Sequence, residues 1–217
     1  MKYKLVMFDL DGTVLDTIND LTNSMNYILS LHSMPLHTAD EIKQYLGNGI
    51  RKLVESSVSK NTNEKEINQI YNEFLSYYKL HSLDETKPFD GIIDLLYNLK
   101  KSGCILAMIS NKADVVVQQL SQKFFNNLFD YVSGEKANIK KKPYPDIIFE
   151  VMKKFNINNE NSIYIGDTEV DSLTAINANI DSIIVTWGFR KKEFLETLKK
   201  TYLVDDVNDI YKIIANG

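Results

Sequence analysis

Six short apolar runs recur along the chain, and most are separated by stretches of helical periodicity. This alternation limits the fold more than any other feature. The runs are Leu5–Phe8, Ile105–Ile109, Tyr131–Ser133, Ser162–Ile165, Ile183–Thr186 and Tyr202–Val204. Near-continuous apolar character marks strands buried on both faces. Amphipathic stretches lie between them at Ile92–Lys101, Val115–Phe125 and Ile147–Phe155. Strands alternating with helices predict an α/β fold, with a parallel sheet covered on both sides.

The alternation fails between about residues 15 and 84. That segment has no convincing strand and carries helical patterns at Ile18–Leu31, Glu41–Tyr45, Ile50–Val58 and Glu64–Tyr78. Pro88-Phe89-Asp90-Gly91 marks the return to alternation. The expected organisation is a core of residues 1–14 and 85–217 with an all-helical insert at 15–84, which 217 residues are enough to build. An insert on two connections can hinge and exclude water from a site beneath it.

Charge excludes some partners. Lys+Arg 25 against Asp+Glu 29 leaves a net charge of −4, which offers no support for nucleic-acid or membrane-surface binding. No apolar stretch approaches the ~18 residues of a membrane helix. The N-terminus enters the first strand at once, leaving no room for a signal peptide. A single cysteine, Cys104, excludes an internal disulfide and fits a reducing compartment, so a cytoplasmic location is expected. Cys104 opens an apolar run and reads as a core thiol. His32, His37 and His81 form no metal-ligand spacing. A monomer and a homodimer both remain open.

Chemistry concentrates in Asp9-Leu10-Asp11-Gly12-Thr13, directly after the first apolar run. In open α/β sheets, ligands bind beyond the C-terminal ends of the strands. One carboxylate there can attack phosphorus, and a second, two residues on, can transfer a proton. The same letters also suit a plain turn. Three further polar clusters sit beside predicted elements: Ser110-Asn111-Lys112, Lys142-Pro143-Tyr144-Pro145-Asp146 and Gly166-Asp167-Thr168-Glu169-Val170-Asp171. In this order the four clusters resemble the motifs of the haloacid dehalogenase superfamily of phosphohydrolases, spanning nearly the whole chain. The segment 15–84 is similar to that family's helical cap, on a Rossmann-like core.

The resemblance implies a phosphatase that hydrolyses a small phosphorylated metabolite through an aspartyl-phosphate. Asp9 would be the nucleophile, and Asp11 the general acid and then the base that activates water. Mg²⁺ would be held by Asp9, the Asp11 carbonyl and Asp167. Ser110 and Lys142 would bind phosphate, with Thr13 and Asn111 as further contacts. Charge makes such cations necessary. A carboxylate about 4 Å from a phosphate dianion is repelled by roughly 2 kcal/mol in water, and by roughly 8 at an effective dielectric of 20. An all-oxygen site suits Mg²⁺ and not zinc.

Each residue has a plainer alternative. Ser110 could be a helix N-cap. Lys142 lies in the run Lys140-Lys141-Lys142, which could simply be solvated. Pro143-Tyr144-Pro145, however, stiffens the segment and ends where Asp146 can cap a helix. Asp167 and Asp171 could be acids favourable to a helix N-terminus. If a helix starts there, Asp171 faces the same side as Asp167 and could orient ligands from behind, while Glu169 is expected in solvent.

In the insert, Gly47-Asn48-Gly49 followed by Arg51 resembles the cap loop of phosphoglycolate-phosphatase-like members. It could present N–H groups and an arginine to a substrate carboxylate, or be an ordinary connector with Arg51 in solvent. Thr186-Trp187-Gly188-Phe189-Arg190 resembles the same subgroup. Asn179 stands where relatives commonly have Gly, and Asn is the next best residue for a left-handed helix cap. Other readings are an inorganic pyrophosphatase or nucleotide phosphatase of this fold, and a β-phosphoglucomutase-type mutase. A signalling receiver domain fits poorly, being shorter and without the helical insert.

Overall fold

The structure, a computed structural model, describes residues 1–216. The N-terminal half runs β1 (Leu5–Phe8), β2 (Leu15–Asp16), α1 (Ile18–Leu31), α2 (Ala39–Tyr45), α3 (Ile50–Ser57), α4 (Glu64–His81), β3 (Lys87–Pro88) and α5 (Ile92–Lys101). Then follow β4 (Ile105–Ala113), α6 (Asp114–Phe125), β5 (Tyr131–Glu135), α7 (Asp146–Phe155) and β6 (Ser162–Gly166). The chain continues through α8 (Glu169–Ala178), β7 (Asp181–Val185), α9 (Lys192–Thr197), β8 (Tyr202–Val204) and α10 (Val207–Asn216).

Six strands form one parallel sheet in the order β5-β4-β1-β6-β7-β8. β1 is central, so the chain leaves it once toward β4 and later returns on its other side at β6. That reversal opens a crevice beyond the strand ends, where α/β sheets hold ligands. The residues that follow Phe8, Ile109 and Gly166 therefore meet there.

Side chains alternate along a strand, and the burial follows that period. Leu5 and Met7 point to one face, against Ile148 and Val151 of α7 and Ala175 and Ala178 of α8. Val6 and Phe8 point to the other, in a cluster that includes Leu96 of α5 and Leu120 of α6. This second cluster continues through Leu10 and Leu15 into the insert, reaching Leu21 and Met25 of α1 and Phe74 and Tyr78 of α4. The helices α1–α4 thus share apolar packing with the sheet they cover.

Two features differ from the expected pattern. Leu15–Asp16, inside a segment expected to have no strand, pairs antiparallel with Lys87–Pro88 and binds together the two chains entering and leaving α1–α4. The Asp20 carboxylate reinforces the junction by accepting from Glu85 N (2.8 Å) and Thr86 N (2.9 Å). β4 also runs four residues past Ile109, with a shift in pairing register before Ala113. The helix then starts at Asp114, so Ser110 lies in the strand and is not an N-cap. Asp146 is likewise the first residue of α7 and not its cap.

Candidate active site

Asp9 leaves the end of β1 with its side chain buried, and its N–H donates to Ile165 O at 2.8 Å. Lys142 Nζ pairs with Asp9 Oδ1 at 2.9 Å. The same ammonium donates to Asp171 Oδ1 (2.7 Å) and to the Tyr164 hydroxyl (2.8 Å), which in turn donates to Ile109 O. Burial pushes Asp9 up to about 7, despite the opposing Lys142 charge, with Asp171 and Asp11 adding to the rise. Burial alone would lower Lys142, but the Asp171 and Asp9 charges hold it well above its ordinary value.

Asp167 follows β6 and is fully buried. Its Oδ1 accepts from Thr13 Oγ1 (3.1 Å) and its Oδ2 from Phe189 N (2.8 Å). Thr13 therefore steers Asp167 and does not line the cavity as a phosphate contact would. Backbone comes close here. A Cβ on Gly12 or on Gly188 would stand 2.4 Å or 2.3 Å from Asp167 Oδ2, and Gly12 also has φ +78°. Burial, with the Asp171 and Asp9 charges, drives Asp167 well above its ordinary carboxylate value.

Asp171, in the first turn of α8, is saturated. Besides Lys142 it accepts from Asp167 N (3.2 Å), Thr168 N (3.0 Å) and Thr168 Oγ1 (2.7 Å), all on Oδ2. It sits behind the cluster with no oxygen free. Carboxylate oxygens of Asp9, Asp167 and Asp171 lie within 4.8 Å of one another, all buried. Three carboxylates crowd one ammonium, that of Lys142. An all-oxygen donor set of this kind fits a hard divalent cation such as Mg²⁺.

Asp11 also lines the cavity. Its Oδ1 accepts from Thr17 Oγ1 (2.7 Å) and from Lys112 Nζ (2.7 Å), a lysine whose ammonium stands 4.6 Å from the centre of the Tyr78 ring in α4. Lys112 is 3 % exposed, and its motif drew attention to Ser110 and Asn111 instead. Tyr164 was also unforeseen. A hydroxyl inside an apolar strand was the available signal, since a buried one needs a partner.

Ser110 lines the cavity with Asp9, Asp11, Lys112, Lys142 and Thr168 on the sheet side, while Leu21, Leu46, Gly47, Gly49 and Ile50 face them from the insert. The room for the centres of water-sized molecules is about 30 Å³. The Asn111 amide is spent on structure. It donates to Gly47 O (3.0 Å) and Lys142 O (2.9 Å) and accepts from Lys142 N (2.9 Å).

Arg51 does not come to the cavity. Its guanidinium is taken by Glu55, Glu64 and Asn68 and leans toward Tyr71, all on α3 and α4. One helical residue beyond Ile50, its side chain projects away from the face that Ile50 presents inward. Asn48 contributes its carbonyl to Lys141 Nζ (3.1 Å). Glu169, expected in solvent, is ion-paired with Arg190 at 2.7 Å. Trp187 fastens the first motif by donating from Nε1 to Thr13 O.

The chain resembles proteins of known family. It is 30% identical over 214 residues to a phosphoglycolate phosphatase of Colwellia psychrerythraea, covering 95% of each chain. A solved structure from Lactobacillus delbrueckii, described as a candidate phosphoglycolate phosphatase, superposes with a TM-score of 0.93 at 35% identity over 99% of each chain. A haloacid dehalogenase-like family hydrolase from Streptococcus pneumoniae superposes at 0.87 with 25% identity over 98% of each chain. The model of the family described as "Haloacid dehalogenase-like hydrolase" matches residues 6–185. The chain belongs to the haloacid dehalogenase-like hydrolases.

Proposed function

We propose that this hydrolase cleaves a small phosphate monoester through a covalent intermediate on Asp9, and that phosphoglycolate is its substrate. The observation that carries the reading is the buried Asp9 carboxylate paired with Lys142 in the lining of a small cavity. Relatives named phosphoglycolate phosphatase, matched over nearly the full chain, support the choice of substrate.

Asp9 attacks phosphorus, the bond from phosphorus to the ester oxygen breaks, and Asp11 gives that oxygen its proton. Asp11 then takes a proton from the water that attacks the aspartyl-phosphate, releasing phosphate and restoring Asp9. Lys112 and Thr17 occupy Oδ1 of Asp11, which leaves Oδ2 to carry the proton. Lys142 and Ser110 face the phosphate oxygens, and Asp171 keeps the lysine charged and aimed. Mg²⁺ bound by Asp9, Asp167 and the Asp11 carbonyl would supply the charge that lets a carboxylate approach a phosphate dianion.

The cavity is narrow, with about 30 Å³ open to the centres of water-sized molecules, and in this reading the insert, as a domain of about residues 15–84, swings on the β2–β3 junction to admit substrate. Asp9→Asn is expected to cut phosphoglycolate turnover beyond ~10³-fold with an unchanged melting temperature, because the amide is a poor nucleophile. Retention of more than about a tenth of the rate would place the nucleophile elsewhere.

A further inference from the structure

Four carbonyl groups between Lys43 and Asn48 of the insert are held by side chains from outside it. Arg190 donates from Nη1 to Lys43 O (2.7 Å) and from Nη2 to Leu46 O (2.8 Å). Asn111 and Lys141 take the next two, Gly47 O and Asn48 O. Arg190 reaches furthest. Its Nε and Nη2 also bind both oxygens of Glu169, at 2.7 and 2.8 Å, so one guanidinium spans a carboxylate and the C-terminal end of α2. Cations are favoured at that end of a helix, and only a planar fork can serve both partners at once.

The anchor is rooted in the catalytic segments. Glu169 lies two residues after Asp167, and Arg190 directly follows Phe189, whose N–H holds Asp167. The loop it fixes has little freedom. A Cβ on Gly49 would stand 3.1 Å from Asn111 O, and one on Gly47 would stand 3.6 Å from Arg190 Nη2, with φ positive at both. Leu46, Gly47, Gly49 and Phe189 are walls of the cavity.

We propose that Arg190 is a positioning residue that latches the Gly47–Gly49 loop over Asp9, and that the latched loop limits the leaving group to a few atoms. The proposal rests on the monoester-hydrolase reading for its second half only. The latch itself is a property of the ligand-free protein.

Two measurements on wild type, Arg190→Gln and Arg190→Lys test it. Trypsin is applied to the ligand-free proteins, and cleavage after Lys43, Arg51 and Lys52 is followed by fragment mass. Release of the latch is expected to speed these cuts roughly tenfold in Arg190→Gln while cuts elsewhere, apart from the site lost at position 190, keep their rates. Arg190→Lys, with no fork, should rescue only in part. A uniform rise across the chain, or no rise at all, overturns the latch.

The second measurement compares kcat/KM for phosphoglycolate and for 4-nitrophenyl phosphate. The ratio should shift roughly tenfold toward the bulkier ester in Arg190→Gln. Loss of both by one factor overturns the selection role. Failure of wild type to hydrolyse either ester would overturn the proposed function and leave the protease result readable. Should Arg190→Gln not fold, Glu169→Gln loosens the same guanidinium from its root and carries the same expectations.

Discussion

Asp11 is held on one side only, and that geometry makes a prediction about leaving groups. With Lys112 and Thr17 both on Oδ1, the proton of its proposed acid role would leave from Oδ2. Asp11→Asn should therefore slow phosphoglycolate, whose leaving alkoxide needs a proton, far more than the first step with 4-nitrophenyl phosphate, whose phenolate hardly does. A stopped-flow burst of nitrophenol measures that step, and equal losses on both esters would remove Asp11 from the acid role. Arg51 carries the opposite expectation. Its guanidinium is engaged by Glu55 and Glu64 outside the cavity, so Arg51→Ala should leave the kcat/KM ratio of the two esters within about twofold of wild type. A selective loss on phosphoglycolate would mean that the arginine swings inward on binding. The clusters that hold Asp9, Asp11, Ser110, Lys142 and Asp167 could be picked out because they match the family's motifs in order beside apolar runs or a helix start, and β1, β4 and β6 bring them to one end of the sheet. Lys112, Tyr164 and Arg190 could not, because their partners lie at Asp11, Ile109 and Lys43, and sequence spacing says nothing about which distant backbone or carboxylate will meet them.

Among the elements, those set off by a clear apolar run or helical stripe were the easiest to read. β1 and β8 have the expected bounds, as do α1 and α5, because an apolar run or a helical stripe both starts and stops inside the sequence signal. The extension of β4 through Ser110–Ala113 was hidden, since its residues are polar and its pairing resumes only after a register shift. The two-residue strands β2 and β3 were hidden too, because a pair so short has no period. Their junction is where the proposed swing of the insert would turn, and Asp20 is its fastening. Both of its carboxylate oxygens accept from backbone N–H groups of the returning chain, and it is 2 % exposed. Asp20→Asn turns one acceptor into a donor facing a buried donor. A cost of about 1–3 kcal/mol is expected, which for a chain of this size lowers the melting temperature by roughly 2–4 °C per kcal/mol. Calorimetry measures it. An unchanged melting temperature would mean that the two segments stay paired without the carboxylate.

For the molecule as a whole, the buried charge at the centre couples stability to both pH and metal. The unfolded chain titrates an aspartate near 3.9, whereas burial holds Asp9 at about 7 in the folded protein. Between those values the folded state binds more protons than the unfolded one, so metal-free stability falls as pH rises from about 4 to about 7. Asp167, pushed up by burial and by the Asp171 and Asp9 charges, adds to the same trend. Lys142 is raised as well, but a raised lysine loses its contribution only in the alkaline range. Asp181 is lowered, burial being outweighed by hydrogen bonds from Tyr3 and Thr201 and by Lys2, and its contribution is lost only below about pH 4. The Asp181 window therefore lies below that of the central carboxylates, which drive the fall in stability between about 4 and 7. The proposed divalent cation would compete with the protons held there. Added Mg²⁺ should raise the melting temperature little at pH 5 and progressively more up to pH 8, with proton release in the binding reaction that shrinks as pH passes about 7. Thermal scans in chelator and in Mg²⁺ across that range, with calorimetric titrations in buffers of different ionisation heat, measure both. Equal stabilisation at pH 5 and pH 8, without proton release, would separate the metal from Asp9 and Asp167 and remove the cation from between the nucleophile and the phosphate.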